Sequence, residues 1–410
     1  MLVSLWTACA QPRGADEPSR STAAASPRPD LNAPWLSLDA PQAGSSVVSL
    51  APLVELRGRV GVGLQGPQDL VLAVDTSGSV FWPSGIDFDG DGSVGVPACD
   101  FAQYHRITCP SYRRWTTDFD DIVLKVEIAA ALELVALLDP RTARMGMVKF
   151  GDSVWVEQEV GSLDGVQASL SSFRYVMRGG TDIIAGLERS IDVLEDAPAN
   201  AAGMAQRTVL LLSDGMMSLR GDRSEAEVEA YVTAFIARAR ASGTRVFAFG
   251  VGVQDDRGTA LLEYLASETQ GRYVAVPVAR EIAVELPLVS LTGVSDVEIV
   301  NTTNGKPARA TRIFPDGTFD ALVPLRDGEN ALRVVATLED GRRLEAHTQV
   351  SFARPDPPGA QDLEARDALL STLRRRTVTT DAAARVHAER RRRRLQRLEI
   401  EVDDPNAPLQ

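Results

Sequence analysis

Val71-Leu72-Ala73-Val74-Asp75-Thr76-Ser77-Gly78-Ser79 is the stretch on which the reading of this chain turns. Four apolar residues run into one carboxylate, and hydroxyls follow at Ser77 and Ser79. An apolar run of this length, closed by a Gly-containing polar turn, predicts a strand buried in a parallel sheet that delivers its polar residues at one end. Three oxygen side chains, Asp75, Ser77 and Ser79, then face one point. Hard divalent cations favour such oxygens, and Mg²⁺ takes few protein ligands in an octahedron completed by water or another molecule.

Two further pieces follow downstream in the chain. Gly179-Gly180-Thr181-Asp182-Ile183 offers a third hydroxyl on a loop that opens a helix, and Val209-Leu210-Leu211-Leu212-Ser213-Asp214-Gly215 is a second buried strand ending in a carboxylate. The set Asp75, Ser77, Ser79, Thr181 and Asp214 resembles the metal-ion-dependent adhesion site of the von Willebrand factor A domain family. Asp-x-Ser-x-Ser alone is a weak pattern, since any polar turn after a strand can carry it; the three parts in order make it specific. The resemblance implies Mg²⁺ (or Mn²⁺) held by Ser77, Ser79 and Thr181, with Asp75 and Asp214 supplying charge directly or through water. It further implies a protein partner whose acidic side chain completes the octahedron.

Residues 68–286 alternate strand and helix. Val123, Val126, Ala130, Leu134 and Leu137 recur at helical steps, with Thr117 and Asp118 as candidate caps. Strands are predicted at 145–150, 209–212, 246–251 and 273–276, with helices near 182–194, 225–241 and 260–268. This order predicts an α/β unit with a doubly wound, mostly parallel sheet, in which ligands bind at the carboxyl ends of strands. Met147-Val148-Lys149-Phe150-Gly151-Asp152 and Val246-Phe247-Ala248-Phe249-Gly250-Val251-Gly252 also resemble family strands.

The departure from that family lies at 81–118, which is too long for a plain loop and reads as an insertion beside the metal turn. Asp87-Phe88-Asp89-Gly90-Asp91-Gly92 places carboxylates at the first, third and fifth positions and Gly at the sixth, as at the start of an EF-hand-like Ca²⁺ loop. Ala98 stands at the twelfth position, where an acid is usual, and Asp100 is the candidate substitute. The plainer alternative is a solvated acidic loop. Cys99 and Cys109, close together in a polar segment, are read as a disulfide of an exported protein.

From 287 to 354 the hydrophobic period becomes two, with turns at Asp316-Gly317, Asp327-Gly328 and Asp340-Gly341. This all-β segment resembles bacterial immunoglobulin-like domains, and 35–67 looks like the opening strands of the same type. Two arrangements stay open: an α/β unit inserted into one β-sandwich, or an independent hairpin at 35–67. Residues 355–410 read as a helical C-terminal segment, with a short apolar stripe at Leu363, Leu369, Leu370 and Leu373. Arg390 to Arg394 is either a solvated helix face or a contact for anionic lipid or an acidic partner.

A net charge of −13 argues against general nucleic-acid affinity. With 410 residues and 44% hydrophobic content the chain supports two or three folded units. No apolar run approaches the length of a membrane-spanning helix. Cys9, after Leu5-Trp6-Thr7-Ala8, resembles the acylated Cys of a bacterial lipoprotein signal, although Trp6 replaces the usual aliphatic residue and the preceding segment is short and lacks basic residues. The reading is a signal whose beginning lies upstream, followed by a polar tether within 1–34; the alternative is a Cys without a role. His105, His347 and His387 are scattered, so no zinc cluster or Ser-His-Asp triad is supported, and no phosphate-binding Gly-rich loop occurs. The sequence therefore predicts a non-enzymatic, metal-dependent, adhesion-like protein-binding module, exported to a bacterial cell envelope and touching membrane only through a lipid anchor. The alternatives are a structural envelope protein with a bracing metal and an accessory subunit of an enzyme complex.

Overall fold

The structure is a computed structural model that describes residues 33–63, 66–97, 116–176, 179–199, 204–213, 215, 225–251, 256–276, 281–286 and 289–377. Cys9, Cys99, Cys109, Asp100, Asp214 and Arg390 to Arg394 lie outside these residues.

In chain order the elements begin with three strands, β1 (Pro34–Ala40), β2 (Ser45–Val48) and β3 (Leu53–Val62). The α/β unit follows: β4 (Gln68–Asp75), α1 (Val123–Leu137), β5 (Ala143–Phe150), β6 (Val154–Gly161), α2 (Leu163–Ser171), α3 (Ile183–Glu195), β7 (Gln206–Ser213), α4 (Glu225–Ser242), β8 (Thr244–Val251), α5 (Asp256–Glu268), β9 (Arg272–Val276) and α6 (Ile282–Glu285). Six strands close the order: β10 (Val294–Asn301), β11 (Lys306–Pro307), β12 (Arg309–Ile313), β13 (Thr318–Pro324), β14 (Gly328–Leu338) and β15 (Arg343–Ala353). Residues 360–377 are helical.

The central sheet runs β6-β5-β4-β7-β8-β9, with β4 pairing in parallel to both β5 and β7. Every residue of β4 is buried, which is why its sequence reads as a continuous apolar run. Its side chains alternate between two cores. Leu70, Leu72 and Val74 join Leu124, Ile128 and Leu134 of α1 on one face, whereas Val71 and Ala73 join Ile184, Leu187 and Ile191 of α3 and Phe235 of α4 on the other. Each fully buried large aliphatic or aromatic side chain contributes about 1.5–3 kcal/mol, so the middle of this sheet is the firmest part of the unit.

Besides the short α6 and β11, β6 and α2 escape the sequence reading. The edge strand β6 pairs antiparallel to β5 and is mostly half-buried or exposed, so its apolar alternation is diluted. α2 follows directly and buries only Leu163, Val166 and Leu170. The expected caps are also corrected: Ile122 occupies the N-cap of α1. Thr117 instead accepts from Val96 N (3.0 Å) in the inserted segment through its hydroxyl, and the Asp118 carboxylate accepts from Asp120 N (2.9 Å) in the turn before α1.

The remaining strands form two sheets, β1-β3-β13-β12 and β11-β10-β14-β15-β2. One hydrophobic core lies between them, with Leu56, Val60, Phe319 and Val323 from the first sheet and Ile299, Leu332, Val334 and Phe352 from the second. Strands from before and after the α/β unit pair directly: β3 lies against β13 with Leu56 opposite Ala321, and β2 lies parallel to β15 with Val47 opposite Phe352. The α/β unit therefore leaves this β-rich body after β3 and returns to it at β10.

Asp316 joins the two bodies. Its carboxylate accepts from Thr142 Oγ1 (3.0 Å) just before β5, and from Thr318 N and Oγ1 in its own turn (3.1 and 2.7 Å). Arg376 in the final helical segment reaches back to Glu55 on β3 at 2.6 Å. Among the described residues no helix is long and apolar enough to cross a membrane.

Candidate metal centre

β4 ends at Asp75, which is fully buried. A carboxylate in such a place must be hydrogen-bonded. Here Ser77 N donates to Asp75 Oδ1 and Ser213 Oγ, at the end of β7, donates to Asp75 Oδ2, each at 2.8 Å. The first bond bends the chain so that Ser77 Oγ and Ser79 Oγ come within 3.1 Å of each other. Thr76, pointing the other way, ties the turn to β5 by donating to Phe150 O (2.8 Å).

The loop before α3 is brought to this turn by backbone bonds. Gly78 N donates to Gly179 O (3.2 Å), Asp182 N donates to Gly151 O (3.1 Å), and Asp152 Oδ1 accepts from Gly180 N (2.6 Å). Gly179 has φ +58°, and a Cβ there would collide with the Asp152 carboxylate. Thr181 sits in this clamp at 3% exposure, and Asp182 caps α3 by accepting from Ala185 N. Asp75, Ser77, Ser79 and Thr181 thus share one end of the sheet, while Asp214 lies outside the described residues. Asp152 and Ser213 hold the arrangement in place, and the sequence gives little sign of either because both act through ordinary hydrogen bonds.

Hydroxyl oxygens beside an acceptor-only carboxylate form a hard donor set, which fits Mg²⁺ or Mn²⁺.

The segment after Ser79 turns at once into a short 3₁₀ stretch, Ser79–Phe81, and then into the insertion. The insertion is fastened to the chain just before α1. Pro83 bridges to Ile122, Ser84 N donates to Asp121 O (2.7 Å), and the buried Asp121 carboxylate accepts from Phe88 N (2.6 Å) and Gly95 N (3.2 Å). Carboxylate oxygens of Asp87, Asp89 and Asp121 lie within 4.8 Å of one another. Asp121 thus joins two of the residues that EF-hand spacing picks out, while the Asp91 carboxylate accepts from Ser93 N (2.7 Å) and Asp100 lies outside the described residues. At Asp89 a hydrogen bond from the Asp91 backbone favours the charged form, but desolvation and the neighbouring charges of Asp91, Asp118 and Asp121 outweigh it and raise the carboxyl's pKa.

An apolar rim borders the same end of the sheet. The ring of Phe81 lies 6.0 Å from Phe119, which lies 6.2 Å from Tyr175, with Lys125 Nζ 5.3 Å from the centroids of both Phe119 and Tyr175. Burial, and secondarily the charge of Asp120, raises the Tyr175 hydroxyl's pKa. Phe88, Val94, Val96, Phe119 and Val176 are each at least 40% exposed.

Residues 123–285 match the family model of the von Willebrand factor type A domain. The matched span starts at α1, so β4 with Asp75, Ser77 and Ser79 precedes it, on the other side of the insertion. Solved structures similar to the chain include an aerotolerance-related membrane protein from Bacteroides fragilis, with 16% identity over 53% of this chain and 94% of that one and a TM-score of 0.34. Another is a von Willebrand factor type A protein from Catenulispora acidiphila, with 12% identity over 80% of this chain and 75% of that one and a TM-score of 0.36. A third is proximal thread matrix protein 1 from the mussel byssus with a zinc-occupied MIDAS motif, with 16% identity over 54% of this chain and 46% of that one and a TM-score of 0.35. No curated protein matches the chain.

Proposed function

We propose that this chain, which contains a von Willebrand factor type A domain match at 123–285, is a non-catalytic, metal-dependent protein-binding module. The observation that carries the proposal is the meeting of two loops at the buried end of β4, with Ser77 Oγ and Ser79 Oγ 3.1 Å apart and Gly78 N bonded to Gly179 O. Ser77, Ser79 and Thr181 hold the ion, Asp75 orients the first hydroxyl through the Ser77 backbone, and Asp214 completes the set. A bound Mg²⁺ or Mn²⁺ supplies an open coordination position for a partner's carboxylate. The exposed apolar rim then packs against the surface around that carboxylate, giving area as well as charge.

The further parts of the reading are proposals on the same footing. The two-sheet body is an immunoglobulin-like carrier, and Asp87, Asp89 and Asp121 hold Ca²⁺ in the insertion. The molecule works at a bacterial cell envelope, exported, with Cys99 and Cys109 bridged and Cys9 acylated.

Calorimetric titration with Mn²⁺ tests the central claim. Ser77→Ala and Asp75→Ala each weaken Mn²⁺ binding by tenfold or more, and Asp75→Ala also costs about 1–3 kcal/mol of stability because two donors lose their buried acceptor. An unchanged Mn²⁺ affinity in folded Ser77→Ala protein overturns the assignment.

A further inference from the structure

α5 is held on the central sheet by Leu262, Leu265 and Ala266, which are buried in the core that includes Val246 and Ala248 of β8. Gly258 lies one turn before Leu262 and two before Ala266, and it is buried, so it stands on the same inward face. A helix ordinarily carries an apolar side chain at such a position. Gly is also the poorest helix former after Pro, so the helix itself gives no reason for it here.

The reason lies in the chain packed against it. A Cβ on Gly258 would lie 2.9 Å from Gly215 O and 3.0 Å from Gly215 C, and a Cβ on Gly215 (φ +76°) would lie 3.0 Å from the Cα, C and O of Gly258. Both collisions are with backbone, which cannot swing aside as the end of a long side chain can. The exit of β7 therefore rests backbone to backbone on the first turn of α5, at a separation that needs glycine on both sides.

From Gly215 the contact reaches the metal turn through one hydroxyl. Gly215 N donates to Ser213 Oγ (3.2 Å), and Ser213 Oγ donates to Asp75 Oδ2 (2.8 Å). A serine hydroxyl has a single proton to give, and the N–H of Gly215 on its oxygen leaves that proton aimed at Asp75. Ser213 and Asp75 both have no exposed surface, so the bond between them lies out of water. The other Asp75 oxygen holds Ser77 N, which shapes the turn of Ser77 and Ser79.

We propose that Gly258 is a positioning residue for the metal centre. By admitting the Gly215 backbone against α5 it keeps the Ser213 hydroxyl on Asp75, and it thereby couples the seating of α5 to cation binding at Ser77, Ser79 and Thr181. The inference rests on the reading of that turn as a metal site.

Hydrogen exchange of the metal-free full chain and Mn²⁺ calorimetry test it together. Gly258→Ala speeds exchange of the Gly215 amide at least fivefold and leaves Gly180 N, bonded to Asp152, as in the parent. It also weakens Mn²⁺ binding by threefold or more, although Ala favours the helix. Ser213→Ala weakens Mn²⁺ binding by fivefold or more, and adding Gly258→Ala to it costs less than a further twofold, because both act through one bond. Gly243→Ala, strained at φ +67° at the opposite end of the sheet, leaves Mn²⁺ affinity unchanged. Should Gly258→Ala fail to fold, Mg²⁺ decides the matter in the parent: saturation slows exchange of amides 260–262, which bond back to the first turn of α5, and no longer does so in Ser213→Ala. Parent-like Gly215 exchange or Mn²⁺ affinity in folded Gly258→Ala overturns the proposal, as do losses that add in the double variant or bound Mg²⁺ without effect on 260–262. If Ser77→Ala binds Mn²⁺ as the parent does, the metal reading itself fails, and the Gly215 exchange rate alone decides whether Gly258 seats the exit of β7.

Discussion

Asp75 keeps its place with no exposed surface because one oxygen is held by its own turn and the other by Ser213 on the neighbouring strand. Thr181 depends on a clamp of a different kind, in which Asp152 occupies the space that a side chain at residue 179 would need. Gly179→Ala adds a Cβ at positive φ and pushes the Asp152 carboxylate off Gly180 N. The expected result is Mn²⁺ binding weakened by threefold or more with a loss of stability of only about 1–2 kcal/mol, read by calorimetry and thermal melting; unchanged affinity would show that the clamp does not position Thr181. Asp75, Ser77, Ser79 and Thr181 were legible in the sequence because each follows or precedes a strongly patterned element. Asp152 and Ser213 were not, since hydrogen bonds between distant loops leave no periodic trace.

The described part of the insertion is fastened to the chain before α1 by the buried Asp121 carboxylate, beside the Pro83–Ile122 bridge and the bond from Ser84 N to Asp121 O. Asp121→Ala removes the acceptor for Phe88 N and Gly95 N, so the segment 85–97 should be cut more rapidly by a nonspecific protease while Mn²⁺ affinity at the β4 turn stays as in the parent. If Ca²⁺ occupies Asp87, Asp89 and Asp121, added Ca²⁺ slows cutting in the parent and not in the variant; equal cutting rates for parent and variant would deny the latch. The acidic run was easy to read, yet its grouping was not. EF-hand spacing looks for ligands along one stretch of chain, whereas Asp121 arrives from just before α1 through the Pro83–Ile122 bridge. Edge strand β6 and short α2 were missed for a related reason: half-exposed elements show only a faint hydrophobic period.

At the scale of the molecule, β3 is flanked by β1 and β13, so the β-rich body cannot close without chain from both sides of the α/β unit. Protein beginning at residue 68 lacks β1, β2 and β3 and leaves Phe319, Ala321 and Val323 without the strand that covers them. It is expected to lose the cooperative melting of the β-rich body and to aggregate, whereas the central sheet retains its own two cores; a soluble protein with parent-like melting would contradict this pairing. Inserting one body into another also sets how force crosses the molecule. A pull between residues 33 and 353 loads only the two-sheet body and bypasses the strand that carries Asp75. A pull on the metal face is instead shared by the two crossings, β3 to β4 and α6 to β10, acting in parallel. Each strand of chain then bears part of the tension, and a grip made at Ser77, Ser79 and Thr181 is anchored like a buckle sewn at both ends.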